Sequence, residues 1–369
     1  MNQRVYFIDI AKGFGILSIV LLHIVFKYPN SQLLPLNSIL GDVWKVTVFF
    51  VIGGFFIKDE QLVKPFVFFR IKFKSIYKLL LYFYIAAVLL HNFFINIGFY
   101  SETVDYIGKN MVQNSWTDTL KGVLMVVLGG GREPIVGPLW FVYVLFFSLM
   151  FYSIVSFTAR KLFKDDKNYD LARLLILLSA TSISCILTQK YGIFIPRVMN
   201  STSFALLIYI GNMMYQRFKL QFNNPYVLIA FLIVLYQYFV IYKVNNIAAN
   251  SYNDIAYLVI TTVGATYVLC FIGVKISYTR IGKILAYCGN DSFYIMALHF
   301  IGFKLGTIIF NLITKTNEPF SYLTPTANNI GMLFYYFAWG IIFPLVFMWL
   351  FRQLKNGMIR IIQVVTVQN

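Results

Sequence analysis

The sequence is poor in charged residues, which make up only 12% of its 369 positions. A soluble globular protein carries about 25% charged residues, because polar groups have to cover its surface. Hydrophobic residues instead make up 59% of this chain. This balance excludes a water-soluble globular class and indicates a protein that is surrounded by lipid.

Acidic residues are scarce as well, since 14 Asp and Glu stand against 31 Lys and Arg, for a net charge of +17. In a soluble protein such an excess would suggest nucleic-acid binding. In a membrane protein it is expected, because basic residues gather at cytoplasmic membrane edges, so we expect no nucleic-acid partner. The three cysteines have no metal-like spacing, and no metal is expected: Cys185, Cys270 and Cys288.

No polar linker or change in composition divides the chain, so we predict one membrane domain over 1–369 with no appended soluble domain. A hydrocarbon core about 30 Å thick needs about 20 apolar residues for each helical crossing. Read by this rule, the sequence predicts an all-α polytopic bundle with about ten transmembrane spans. The predicted spans are 6–26, 39–57, 76–97, 138–157, 171–188, 203–215, 225–242, 254–274, 292–313 and 328–351.

One more apolar segment, 119–128, is too short to cross and is predicted to be a re-entrant or interfacial helix. The distribution of basic residues tests this count. With ten spans and both termini cytoplasmic, most Lys and Arg residues fall in cytoplasmic loops. A full span at 119–128 would place the basic loop 158–173 outside, so the ten-span topology is favoured.

The first predicted span contains three ionisable residues, Asp9, Lys12 and His23. Such residues cost about 2.5–3.5 kcal/mol each on insertion scales and usually face a cavity or a partner. Lys12 and His23 are eleven positions apart, which places both on one helix face about 16 Å apart. Asp9 and Lys12 are three positions apart and are expected to pair. The alternative interpretation is an interfacial ion pair with an unrelated buried histidine.

Four stretches of the sequence, in order along the whole chain, resemble the acyltransferase-3 family of integral membrane acyltransferases. The first helix of that family has a basic residue followed by ten residues and a histidine, which Lys12 and His23 match. The stretches are Arg4…Phe7-Ile8-Asp9-Ile10-Ala11-Lys12-Gly13…His23, Phe49-Phe50-Val51-Ile52-Gly53-Gly54-Phe55-Phe56, Pro138-Leu139-Trp140-Phe141 and Gly289-Asn290-Asp291-Ser292…His299.

The resemblance implies an acyltransferase, in particular an O-acetyltransferase of a bacterial cytoplasmic membrane. Its donor would be cytoplasmic acetyl-CoA, and its acceptor a hydroxyl of a cell-surface polysaccharide or of its lipid-linked precursor. A neutral imidazole is the natural base for a hydroxyl near pH 7. We therefore predict that His23 is the base and that His299 is a second catalytic anchor, although helix packing alone would also explain His299.

Donor and acceptor contacts are expected on opposite sides of the membrane. Clustered basic side chains suit the phosphates of an acyl-CoA, although basic residues also lie at membrane edges without binding anything. The predicted donor-binding residues are Lys12, Asp9, Arg70 and Lys72. Acceptor contacts are expected in the Gly/Pro-rich outer loop and on the His299 helix, unless that loop is only a linker. The predicted acceptor-binding residues are Arg132, Glu133, Trp140 and Ser292.

Ten spans and an aromatic content of 19% also fit a transporter or a flippase for lipid-linked sugars. Many transporters contain paired internal repeats, and none is visible in this sequence. A polysaccharide polymerase is a third possibility, for which we expect a large arginine-rich outer loop. The largest predicted outer loop, 98–137, contains only three basic residues, Lys109, Lys121 and Arg132.

Overall fold

The computed structural model of the protein describes residues 6–26, 44–101, 111–236, 247–252 and 254–367. Helices make up most of these residues, which confirms the all-α prediction. The helices are α1 (Tyr6–Leu22), α2 (Trp44–Phe55), α3 (Asp59–Leu62), α4 (Pro65–Lys72), α5 (Lys78–Leu89), α6 (His91–Asn96), α7 (Trp116–Val127), α8 (Trp140–Leu162), α9 (Asp166–Tyr191), α10 (Val198–Asn212), α11 (Tyr226–Tyr236), α12 (Ile255–Ile276), α13 (Arg280–Asn290), α14 (Ser292–Thr314) and α15 (Ile330–Val367).

Five helical segments in the described part of the chain are long and apolar enough to cross a membrane. They are Pro134–Leu162, Asp166–Tyr191, Ile255–Ile276, Ser292–Thr314 and Ile330–Gly357. A shorter apolar helix, Lys45–Phe55, coincides with the second predicted span. The protein is thus an all-helical membrane protein, while the count of ten spans and the cytoplasmic termini stay predictions. Arg4 and the predicted span segments 39–43 and 237–242 lie outside the described residues.

Two helical regions differ from the sequence prediction. The helix predicted to begin at 76 begins at Pro65 and continues through a π-helical turn (Phe73–Tyr77) into α5. Proline suits the first turn of a helix because the amide it lacks has no intrahelical partner there. The loop predicted after the eighth span contains α13, which the search for apolar runs missed because its apolar residues occupy one face only.

The short segment predicted at 119–128 is a helix, α7, of 12 residues. Ser115 caps its start by accepting a hydrogen bond from the Asp118 amide, and the Asp118 carboxylate accepts one from the Ser115 amide. This reciprocal pair satisfies two amides that would otherwise lack partners. A helix of this length spans about 18 Å, which is too short to cross the hydrocarbon core.

Helix α1 lies against α2, α12, α13 and α14. Its contact with α13 is close because glycines face backbone there. A Cβ atom at Gly289 would lie 1.7 Å from the Asp9 carbonyl oxygen, and one at Gly13 would lie 2.2 Å from that of Leu285. Small residues allow membrane helices to approach in this way, so the glycines hold the Lys12 segment against the start of α14.

The direction of the helices defines two ends of the bundle. Asp9 packs on Gly289, just before α14 begins, so we call this side the Lys12 end. At the opposite side, β1 (Val25–Phe26), which follows α1, pairs in parallel with β2 (Thr326–Ala327). On that side the Lys304 ammonium lies within 3.3 Å of four backbone carbonyl oxygens, those of Phe99, Phe320, Ser321 and Tyr322. We call it the Glu133 end, because Tyr100, next to Phe99, donates to the Glu133 carboxylate.

Candidate active site

Two histidines meet between the ends of the bundle. His23 follows the last turn of α1 and His299 lies in α14, and 3.3 Å separates His23 Nδ1 from His299 Nε2. Their ring centroids are 5.0 Å apart. His299 is fully buried, whereas His23 is half-buried. The structure therefore brings together the two residues that the sequence predicts as catalytic.

Backbone carbonyls determine where the protons of this pair lie, because a carbonyl oxygen only accepts hydrogen bonds. His299 Nδ1 lies 3.0 Å from the Ile295 oxygen and 2.9 Å from the Met296 oxygen, so it carries the proton. His299 Nε2 is then an acceptor. His23 Nδ1 faces that acceptor and the Ile19 oxygen at 2.9 Å, so it carries a proton as well. These hydrogen-bond partners define the tautomers of both rings. In His23, the unprotonated nitrogen is Nε2.

His23 Nε2 has no hydrogen-bond partner among the residues that the structure describes. Aromatic rings support the imidazoles, with Phe300 edge-on to His23 at 5.1 Å and Phe303 edge-on to His299 at 5.6 Å. The charge of Lys45, which is buried at the start of α2, acts on His23 electrostatically. The pair is thus held rigidly, with one nitrogen lone pair available.

The predicted pair of Asp9 and Lys12 is present. The Lys12 ammonium lies 3.7 Å from a carboxylate oxygen of Asp9, and a third of the Lys12 side chain is exposed. The other two predicted donor-binding residues, Arg70 and Lys72, form no ion pair within the described ranges. Arg70 is exposed, and the Lys72 ammonium lies 5.2 Å from the centre of the Phe68 ring.

Arg132 and Glu133 line one cavity of about 500 Å³ at the Glu133 end, together with His91 and Asn114. Arg132 is exposed, and Glu133 is buried. One carboxylate oxygen of Glu133, Oε1, accepts hydrogen bonds from His91 Nδ1 at 3.0 Å and from the Tyr100 hydroxyl at 2.8 Å.

The other two predicted acceptor residues lie apart from this cavity. Trp140 begins α8 and is half-buried, and Ser292 begins α14 two turns before His299. Neither residue forms a hydrogen bond with His23, and neither lines the cavity, as far as the described residues extend. Ser292 shares α14 with His299, whereas Trp140 begins a helix that contains neither histidine and no residue lining the cavity.

Sequence reasoning overlooked His91, the third histidine. His91 Nε2 lies 3.0 Å from the Val112 carbonyl, while Nδ1 faces Glu133. Since both acceptors need a proton from the ring, the imidazole is doubly protonated and forms an ion pair with Glu133. An ionisable residue at the end of an apolar run was the available signal, but its partner lies 42 positions away.

Sequence reasoning also overlooked the pairing of Asp291 with Arg352. Arg352 binds both carboxylate oxygens, at 2.8 and 2.9 Å, and Asp291 is only 1% exposed. This forked pair joins α15 to the start of α14 at the Lys12 end. In the described part of the chain, no group of three or more His, Cys, Asp or Glu side chains is placed to hold a metal ion.

The fold and the site thus define an all-helical membrane protein with an interior histidine pair between two polar ends. A family model described as an acyltransferase domain matches residues 5–353, nearly the whole chain. The chain belongs to the acyltransferase-3 family, which confirms the resemblance seen in the sequence, and the protein is a membrane acyltransferase with an acyl donor and an acceptor. A search of curated proteins and a search of solved structures each found no match.

Proposed function

We propose that the protein is an O-acetyltransferase, with acetyl-CoA as donor and a hydroxyl of a cell-surface polysaccharide or its lipid-linked precursor as acceptor. The observation that carries this proposal is the histidine pair, in which His23 Nε2 is the one nitrogen with a free lone pair. A neutral alcohol is a poor nucleophile near pH 7, and a positioned imidazole overcomes this by taking its proton.

In the proposed reaction, His23 Nε2 removes the proton of the acceptor hydroxyl while its oxygen attacks the thioester carbonyl carbon. A new C–O bond forms, the C–S bond breaks, and the coenzyme A thiolate takes the proton back from His23. The buried charge of Lys45 near His23 would stabilise the negative charge that develops on the carbonyl oxygen.

We assign to His299 a positioning role within this pair. Its Nε2 accepts from His23 Nδ1 and fixes the orientation of the ring, so that Nε2 of His23 stays free. The same contact stabilises the positive charge that His23 acquires with the substrate proton. This is the role that the third member of a nucleophile–base–orienter set performs in other acyl transfer sites.

The location of the pair suits substrates that arrive from opposite ends. The rise of an α-helix places Lys12 about 16 Å from His23 along α1. The long arm between the phosphates and the thioester of acetyl-CoA would lie along this path, with Lys12 near the phosphates. We propose a multi-pass position in a bacterial cytoplasmic membrane, with the Lys12 end facing the cytoplasm, and an acceptor that enters from the Glu133 end.

The test is transfer of labelled acetyl groups from acetyl-CoA to purified cell-surface polysaccharide by the purified full chain. We expect His23→Ala to lower the rate by about 10²–10⁴-fold, the usual contribution of a general base. Leu22→Ala is the matched control, because Leu22 is exposed and directly precedes His23 at the end of α1.

Wild-type transfer that is lost in His23→Ala and kept in Leu22→Ala would support the proposal. A His23→Ala variant with the wild-type rate would overturn the assignment of the base. Transfer of longer acyl groups with none of acetyl would overturn the acetyl specificity alone.

A further inference from the structure

The cavity at the Glu133 end has the size and composition of a binding site for a small polar molecule. Its volume of about 500 Å³ lies within the range of about 300–1,000 Å³ that is typical of ligand sites. Val88, Met111 and Met125 provide apolar walls, and Asn114, Arg132 and Glu133 provide polar groups. Such a mixture suits a sugar ring, which has apolar faces and polar edges.

Three polar groups of this cavity have unused hydrogen-bonding capacity. Both protein contacts of the Glu133 carboxylate are made to Oε1, so no described residue donates to Oε2. The backbone of Asn114 is bonded to the side chain of Asn92, but the Asn114 side-chain amide has no partner among the described residues. The Arg132 guanidinium likewise forms no ion pair or hydrogen bond within the described ranges.

The charges around the cavity do not cancel. The doubly protonated His91 ring neutralises Glu133, as shown by its two acceptor contacts. Arg132 therefore adds a net positive charge, and the positive charge of Arg197 lies within electrostatic range of it. An anion bound at Arg132 would be attracted by both positive charges. A guanidinium is well suited to this because it binds carboxylate and phosphate groups in a forked geometry.

We propose that this cavity binds a sugar that carries an anionic group, either a carboxylate or a phosphate. Arg132 contacts the anion, while Glu133 Oε2 accepts a hydrogen bond from a sugar hydroxyl and Asn114 donates one. The identification of this sugar as the acceptor rests on the proposed function. Binding itself does not, because it requires neither the histidine pair nor a donor.

The position of the cavity relative to the histidine pair fits an acceptor site. The 3₁₀ segment Pro134–Leu139, which directly follows Glu133, packs against α14. Lys304, which is five positions beyond His299 in α14, is held by the Phe99 carbonyl next to Tyr100. Five helical residues correspond to about 7.5 Å. The same helix therefore carries His299 of the histidine pair and packs against the segment whose first residue, Pro134, lines the cavity.

The test is calorimetric titration of the detergent-solubilised full chain with three probes: methyl glucuronide, glucose 1-phosphate and methyl glucoside. We expect at least one anionic probe to bind about tenfold or more tightly than methyl glucoside, in line with a charge-assisted hydrogen bond. Arg132→Gln should remove this difference and leave the neutral probe unaffected, while Arg132→Lys should retain part of it.

Lys121→Gln is the matched control, because Lys121 is exposed and paired with Asp118 outside the cavity. The anionic probe that binds more tightly identifies the source of the charge. Equal binding of all three probes, or a preference that survives in Arg132→Gln, would overturn the proposal. Since no acyl group is transferred in this experiment, its failure is distinct from a failure of the acetyl-transfer assay.

Discussion

Arg173 and Arg132 lie at opposite ends of the bundle and have opposite surroundings. Arg173 is fully buried and donates hydrogen bonds to Asp59 at 3.0 Å, to the Tyr152 hydroxyl at 2.9 Å and to Asp170. Arg132 is exposed at a cavity and has no carboxylate partner in the described residues, because the neighbouring Glu133 is paired with His91.

Arg173 belongs to the Lys12 end because the Phe222 ring contacts both Phe7 in α1 and Phe55, just before Asp59. At this end Arg217 contacts the same two carboxylates as Arg173, those of Asp59 and Asp170, at 3.3 and 3.1 Å. The network joins the ends of helices that are far apart in sequence. Charge at the Lys12 end is thus used mainly to hold helices together, whereas at the Glu133 end Arg132 has no carboxylate partner in the described residues.

The largest decrease in the free energy of unfolding is expected for Arg173→Met. This change removes a fully buried guanidinium and its hydrogen bonds to Asp59, Asp170 and Tyr152. Breaking a buried ion pair typically costs about 3–5 kcal/mol. Reversible unfolding in mixed micelles should show a decrease of this size in the free energy of unfolding. Lys121→Met removes an exposed ion pair and should change this free energy far less. Equal effects of the two substitutions would refute the contrast between the ends.

A smaller decrease in the free energy of unfolding is expected for Arg352→Gln. Asp291 would lose a forked, charge-assisted pair but would keep the hydrogen bond from the Asn290 side chain at 2.9 Å. Since Arg352 is partly exposed, we expect a cost of about 1–3 kcal/mol in the same unfolding measurement. Arg352→Lys keeps the charge without the fork and should give an intermediate value. No change in either variant would mean that this pair does not stabilise the contact of α15 with α14.

Local patterns in the sequence were sufficient for the features that lie on one helix. The three-residue spacing predicted the contact of Asp9 with Lys12, which the structure contains. Long apolar runs predicted the class of the fold. These predictions succeeded because they depend only on helix geometry and on hydrophobicity.

Contacts between distant parts of the chain were not predictable in the same way. The meeting of His23 with His299 joins positions 276 residues apart, and the family resemblance, not periodicity, connected them. The contact of Arg173 with Asp59 joins positions 114 residues apart, so no local pattern predicts it. His91 was overlooked for the same reason.

The most direct test of the proposed catalytic role of His23 and His299 is a double-variant cycle of acyl transfer. Rates of labelled acetyl transfer would be measured for His23→Gln, for His299→Gln and for the double variant at saturating acetyl-CoA. Residues that act as one unit are strongly non-additive. We therefore predict that the double variant transfers acetyl groups no more slowly than His23→Gln alone. Rate reductions that multiply in the double variant, or a wild-type rate in His23→Gln, would contradict a histidine pair that acts as the base.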